Sequence, residues 1–109
     1  MIDLIIGSDH RGFELKEELS KWLCPLDMES DTKFDIAVFQ DAGVHKPKRT
    51  DYNDIAIKVA EKMDICDRGI LICGSGFGMA IQANRYPKVR AVVCNDIFDV
   101  EQARQHNDM

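Results

Sequence analysis

Three short stretches carry side chains able to do chemistry. The first, Gly7-Ser8-Asp9-His10-Arg11-Gly12, sets a carboxylate beside an imidazole. Such a pair can orient a sugar hydroxyl or move a proton; equally, Asp9 can cap a following helix while His10 is solvated. The second is Cys73-Gly74-Ser75-Gly76-Phe77-Gly78. Its glycines let backbone come close to a ligand, and N–H groups at a helix start can hold an anion or a developing oxyanion. A helix start also favours a thiolate, which suits Cys73 to act as base or nucleophile. The plainer alternative is a buried cysteine at a strand end. The third stretch is Arg104-Gln105-His106-Asn107-Asp108. There His106 can serve as a general acid near neutrality and Asn107 can orient a hydroxyl or carbonyl. Alternatively, His106 is only a favourable cation at a helix C-terminus.

Other readings are disfavoured. The glycines at 74, 76 and 78 do not make the G-x-G-x-x-G fingerprint. NAD is therefore not expected. Cys24, Cys66 and Cys94 have no such loop beside them and read as packing residues, and His45 reads as solvated in a polar loop. The four cysteines lack C-x-x-C spacing, which argues against a zinc site and a disulfide scaffold and for reduced thiols in the cytoplasm.

Alternating strand and helix patterns must position these residues. Strands are expected at Ile2 to Ile6, Phe34 to Phe39, Gly69 to Cys73 and Val89 to Cys94, the third buried on both faces. Leu15, Leu19, Trp22, Leu23 and Leu26 form one helical stripe, ended by Pro25. Tyr52, Ile55, Ala56, Val59 and Met63 form another, with Thr50 or Asp51 as its N-cap. A third helix runs to about Asn84, and a fourth from Asp96 to about His106. The βαβαβαβα order predicts an α/β fold, a Rossmann-like three-layer α/β/α arrangement with an open parallel sheet. Ligands in such folds gather outside the carboxyl ends of the strands, where the first two motifs fall.

With 109 residues the chain is expected to form one domain, 1–109. Apolar residues make up 45% and charged residues 30%, an ordinary globular balance. Nineteen acids against fourteen bases give a net charge of -5, which disfavours nucleic acid as a partner. Apolar runs are too short for a membrane span, and no signal peptide is visible after Met1.

Taken together, these motifs resemble the ribose-5-phosphate isomerase B family, which groups with the galactose-6-phosphate isomerase subunits. The matching stretches are Gly7-Ser8-Asp9-His10, Arg49-Thr50-Asp51-Tyr52, Ile70 through Gly78, Ala83-Asn84-Arg85, Val89 through Val93 and Arg104 through Asp108. The resemblance implies interconversion of ribose 5-phosphate and ribulose 5-phosphate, a step of the pentose phosphate pathway, through a cis-enediolate. It implies no metal and no organic cofactor. By position, Cys73 is the proton-abstracting base and His106 opens the furanose ring. Asp9, His10, Tyr52 and Asn107 contact the sugar, and Gly74, Ser75, Gly76, Phe77 and Gly78 stabilise the enediolate. Family members without a cysteine base place a glutamate just after the glycine loop; Met79 stands there here.

The chain departs from the family in three places. Asn53 replaces the proline that follows Thr-Asp-Tyr, and the region from Cys24 to Lys48 is longer. The family continues past the position of Met109 into a further strand, helices and phosphate-gripping arginines, so the sequence is expected to be a truncated form, part of a longer chain or a degenerate member. Neither Arg11 nor Arg49 is assigned that grip. A small-molecule sugar phosphate is the expected partner, in a homodimer or dimer of dimers whose site is completed across a subunit boundary. The alternatives are a galactose-6-phosphate isomerase subunit or a truncated, non-catalytic member. The former work as unlike pairs that divide the catalytic groups, whereas Cys73 and His106 stand together here.

Overall fold

Runs rich in isoleucine and valine make the strands. Ile2–Ser8 forms β1, Ile36–Asp41 β2 and Arg68–Ile72 β3 in the computed structural model, which describes residues 1–24 and 34–109. All three are parallel, in the order β2-β1-β3. The helices are α1 (Phe13–Leu23), α2 (Tyr52–Lys62), α3 (Phe77–Ala83) and α4 (Ile97–Asn107). This is the expected open parallel α/β sheet.

The pleat of β1 divides the core. Ile5 packs with Val59 and Cys66, and a side chain on Gly7 would run into Ile55 and Val59, so this face looks at α2. Alternation turns Leu4, Ile6 and Ser8 to the opposite face, the side to which a right-handed crossover carries α1. The inner side of α2 is Ile55, Ala56, Val59 and Ala60, and Asp51 caps it by accepting from the Asn53 N–H at 2.9 Å. Burial of each large aliphatic side chain there contributes about 1.5–3 kcal/mol. Met79 of α3 joins Val44, Ile55 and Ala56.

Two expectations are revised. The stripe read on α1 is buried only in part: Leu23 is buried, but Leu15 and Trp22 are more than half exposed, and Lys16, outside the stripe, is buried. The reason is an ion pair. Lys16 Nζ lies 2.6 Å from Asp41 at the end of β2 and 2.8 Å from Glu17, which turns this side of α1 inward. Trp22 meets Phe34 edge-on instead, with ring centroids 4.7 Å apart. Pro25 and Leu26 lie outside the described residues.

The second revision concerns Val89 to Cys94, which forms no strand. Asn84 anchors this segment: its side chain donates to the Ala91 carbonyl at 2.8 Å and accepts from the Ala91 N–H at 2.7 Å. β3 is therefore an edge strand and only partly buried. An open cleft of about 710 Å³ lies between it and residues 88–95. α4, capped by Asp96, buries only Ala103 and leaves Ile97 and Phe98 largely exposed.

Burial pulls the Lys16 ammonium down, but hydrogen bonds and charge from Asp41 and Glu17 outweigh it and hold the group above its ordinary value. A lysine held up in this way stabilises the fold below its unfolded value of about 10.4. That contribution is complete at pH 7 and is lost as the pH rises through the folded value. Removing a partner from a buried pair costs about 3–5 kcal/mol, and Glu17 remains, so we expect Asp41→Ala to cost about 3 kcal/mol at pH 7. Urea unfolding measures it. The deficit should shrink above about pH 10.4; one that is absent at pH 7 contradicts the buried pair.

Candidate active site

The loops that follow β1 and β3 lie side by side. The Asp9 N–H donates to the Ile72 carbonyl at 3.2 Å, tying the end of one strand to the end of the other. Asp9 is buried, and its Oδ1 accepts from the N–H groups of Arg11 at 2.9 Å and Gly12 at 3.1 Å. Its carboxylate therefore organises the turn into α1, while Gly12 itself occupies the helix N-cap. His10 is half-buried rather than fully solvated. Its Nδ1 lies 3.2 Å from both the N–H and the carbonyl oxygen of Thr50, accepting from the one or donating to the other according to the ring's tautomer, and either bond fastens the loop before α2 to the loop after β1.

Cys73, half-buried, begins the glycine loop. Its Sγ accepts from the Gly76 N–H at 3.1 Å. Gly76 has φ 86°, a left-handed conformation that glycine takes without a Cβ penalty, and this lets the loop fold back on the sulfur. The Phe77 N–H is taken up by Ser75 Oγ at 3.2 Å. Gly78 serves a different need: a Cβ there would lie 2.5 Å from the ring of Tyr52, so only glycine lets that ring rest on the first turn of α3.

These contacts enclose an open cleft of about 800 Å³. It brings together Asp9, His10, Tyr52, Cys73, Gly74, Ser75 and Gly78 of the residues singled out in the sequence. Gly76 and Phe77 do not line it, and Phe77 is largely exposed. His106 and Asn107 end α4 on an exposed surface, outside the cleft. Arg11, Arg49, Thr50 and Asp51 line it as well. Arg11 follows the first motif directly, but only its fold against Gly74 shows that it reaches the second.

The other thiols differ from Cys73 in surroundings. Burial, then the charges of Asp3 and Asp67, push the Cys66 thiol up, so it stays protonated at neutral pH. Burial and Asp99 do the same to Cys94, against a smaller opposing effect of Arg104. Among the described residues no three His, Cys, Asp or Glu side chains gather as a metal site, and no helix is long and apolar enough to cross a membrane.

A family model described as Ribose/Galactose Isomerase matches residues 4–109. The chain is 38% identical to ribose-5-phosphate isomerase B of Escherichia coli over 110 residues, 99% of this chain and 68% of that one. It is 36% identical to D-erythrulose-4-phosphate isomerase 2 of Mycolicibacterium smegmatis, covering 98% and 68%. Among solved structures, ribose-5-phosphate isomerase B of Clostridium thermocellum superposes with a TM-score of 0.85 at 39% identity, covering 98% of this chain and 68% of that one. That of Thermotoga maritima gives 0.85 at 37%, covering 98% and 69%. With sequence, fold and the two loops at the strand ends all in agreement, the chain belongs to the Ribose/Galactose Isomerase family.

Proposed function

We propose that this protein is an aldose–ketose isomerase that interconverts ribose 5-phosphate and ribulose 5-phosphate. The observation that carries the reading is the single cleft in which Cys73 and its glycine loop face Asp9, His10 and Tyr52. Named relatives act on this substrate, and the chemistry suits the groups present. The Cys73 thiolate takes the proton from C2 of the open-chain aldose. The C–H electron pair becomes the C1=C2 bond, and the carbonyl pair moves to O1. A proton then passes from O2 to O1, and the Cys73 thiol, open to exchange with solvent, delivers a proton to C1, giving the ketose. Asp9, His10 and Tyr52 orient the sugar hydroxyls, and Gly74, Ser75 and Gly78 face the enediolate.

His106 protonates the ring oxygen and so opens the furanose, with Asn107 on the adjacent hydroxyl. Both belong to the cleft of a second copy in this reading. Their exposed place at the end of α4, outside the cleft that holds Cys73, supports a homodimer as the working unit. Four free thiols suit the reducing cytoplasm.

Cys73→Ala should lower kcat for ribose 5-phosphate about 10²–10⁴-fold while KM changes far less. Cys66→Ala should cost about 1 kcal/mol of stability and leave kcat intact. Steady-state assays decide it, and equal losses in both variants would remove Cys73 from the role of base.

The shared site is tested by mixing. Cys73→Ala and His106→Asn are each expected to be nearly inactive. When the two are unfolded together and refolded, half of the dimers contain one chain of each kind, and one of the two clefts in each such dimer is intact. About a quarter of wild-type activity should return. Folded mixed dimers with no recovery would place His106 and Cys73 in a site made by one chain.

A further inference from the structure

Gly74 follows Cys73 directly and does not have the positive φ of Gly43 and Gly76, so its backbone would accept a side chain. The space a side chain would need is filled by Arg11. A Cβ on Gly74 would lie 2.7 Å from Arg11 Nη1 and 2.9 Å from Arg11 Cδ. The guanidinium thus lies across the loop, one residue from the thiol. Its backbone is held in turn, because the Arg11 N–H donates to the buried Asp9 carboxylate at 2.9 Å. Among the described residues Arg11 forms no ion pair, and its side chain lines the cleft. Two of the loop's own donors are already engaged, the Gly76 N–H by Cys73 Sγ and the Phe77 N–H by Ser75 Oγ.

We propose that Arg11 is a further catalytic residue, whose guanidinium pairs with the two adjacent oxygens of the enediolate. This rests on the isomerase reading given above. When Cys73 takes the C2 proton, negative charge arrives on O1, and in the cis-enediolate O1 and O2 lie on the same side of the double bond. Two N–H groups of a planar guanidinium match that pair of oxygens, and a cation there favours the charged intermediate over the neutral sugar. Gly74 is then a positioning residue, since its missing side chain is what lets Arg11 reach the site.

The test is a set of steady-state and coupling measurements on the whole protein. Arg11→Gln should lower kcat for ribose 5-phosphate about 10- to 100-fold with KM changed less than about threefold, and Arg11→Lys should recover part of the loss. Gly74→Ala should lower kcat by displacing Arg11 and should add little in the Arg11→Gln background, whereas independent effects would multiply. A raised KM with kcat retained would mean that Arg11 grips phosphate, and this overturns the proposal. So would multiplicative losses in the double variant, or an Arg11→Gln protein as active as wild type. Wild-type protein that turns over no ribose 5-phosphate would overturn the isomerase reading and this proposal together.

Discussion

In the register of β1 against β3, Ser8 stands opposite Ile72, so the two strands end level and their following loops leave the sheet side by side. The Asp9 N–H continues the pairing by one more bond to the Ile72 carbonyl. Gly12 makes the approach possible, because a Cβ there would lie 2.6 Å from that carbonyl oxygen. A larger residue would push α1 off the end of β3 and separate the two loops. From this one close approach follow the position of Asp9 and His10, the reach of Arg11 over Gly74, and the cleft between them.

The contacts that hold this edge steady are polar. Lys16 ties α1 to Asp41, whose Oδ1 also accepts from the Gly43 N–H at 2.8 Å. The Ser8 N–H donates to the Gly43 carbonyl and the Val44 N–H to the Ser8 carbonyl, fastening the turn after β2 to the end of β1. Thr50 and His10 add the loop before α2. The cleft is thus built from three loops, each cross-linked to its neighbour by backbone groups. Such a frame suits chemistry in which one base must serve two adjacent carbons.

Much of this was legible in the sequence because it is local. Asp51 capping α2, the apolar face of Ile55, Ala56 and Val59, and the strand before Cys73 follow from periodicity and capping alone. The face of α1 was not, because Lys16 is drawn inward by a carboxylate 25 residues away, and no periodicity of leucines reports such a pair. Val89 to Cys94 has the composition of a strand but is held by Asn84, a contact set by side-chain geometry rather than propensity. At the site, the motifs containing Asp9 and Cys73 were readable, whereas the contact of Arg11 with Gly74 exists only once β1 and β3 are paired.

The central claim is that the cleft carries a proton between C2 and C1 through an enediolate. Its most direct test is the wild-type protein turning over ribose 5-phosphate in heavy water, followed by proton NMR. The account predicts that deuterium from the solvent appears at C1 of the ribulose 5-phosphate formed, because the Cys73 thiol exchanges with solvent while it holds the proton. Conversion that leaves C1 free of deuterium and runs equally fast in Cys73→Ala would contradict it, because no cysteine would then hold the proton between C2 and C1.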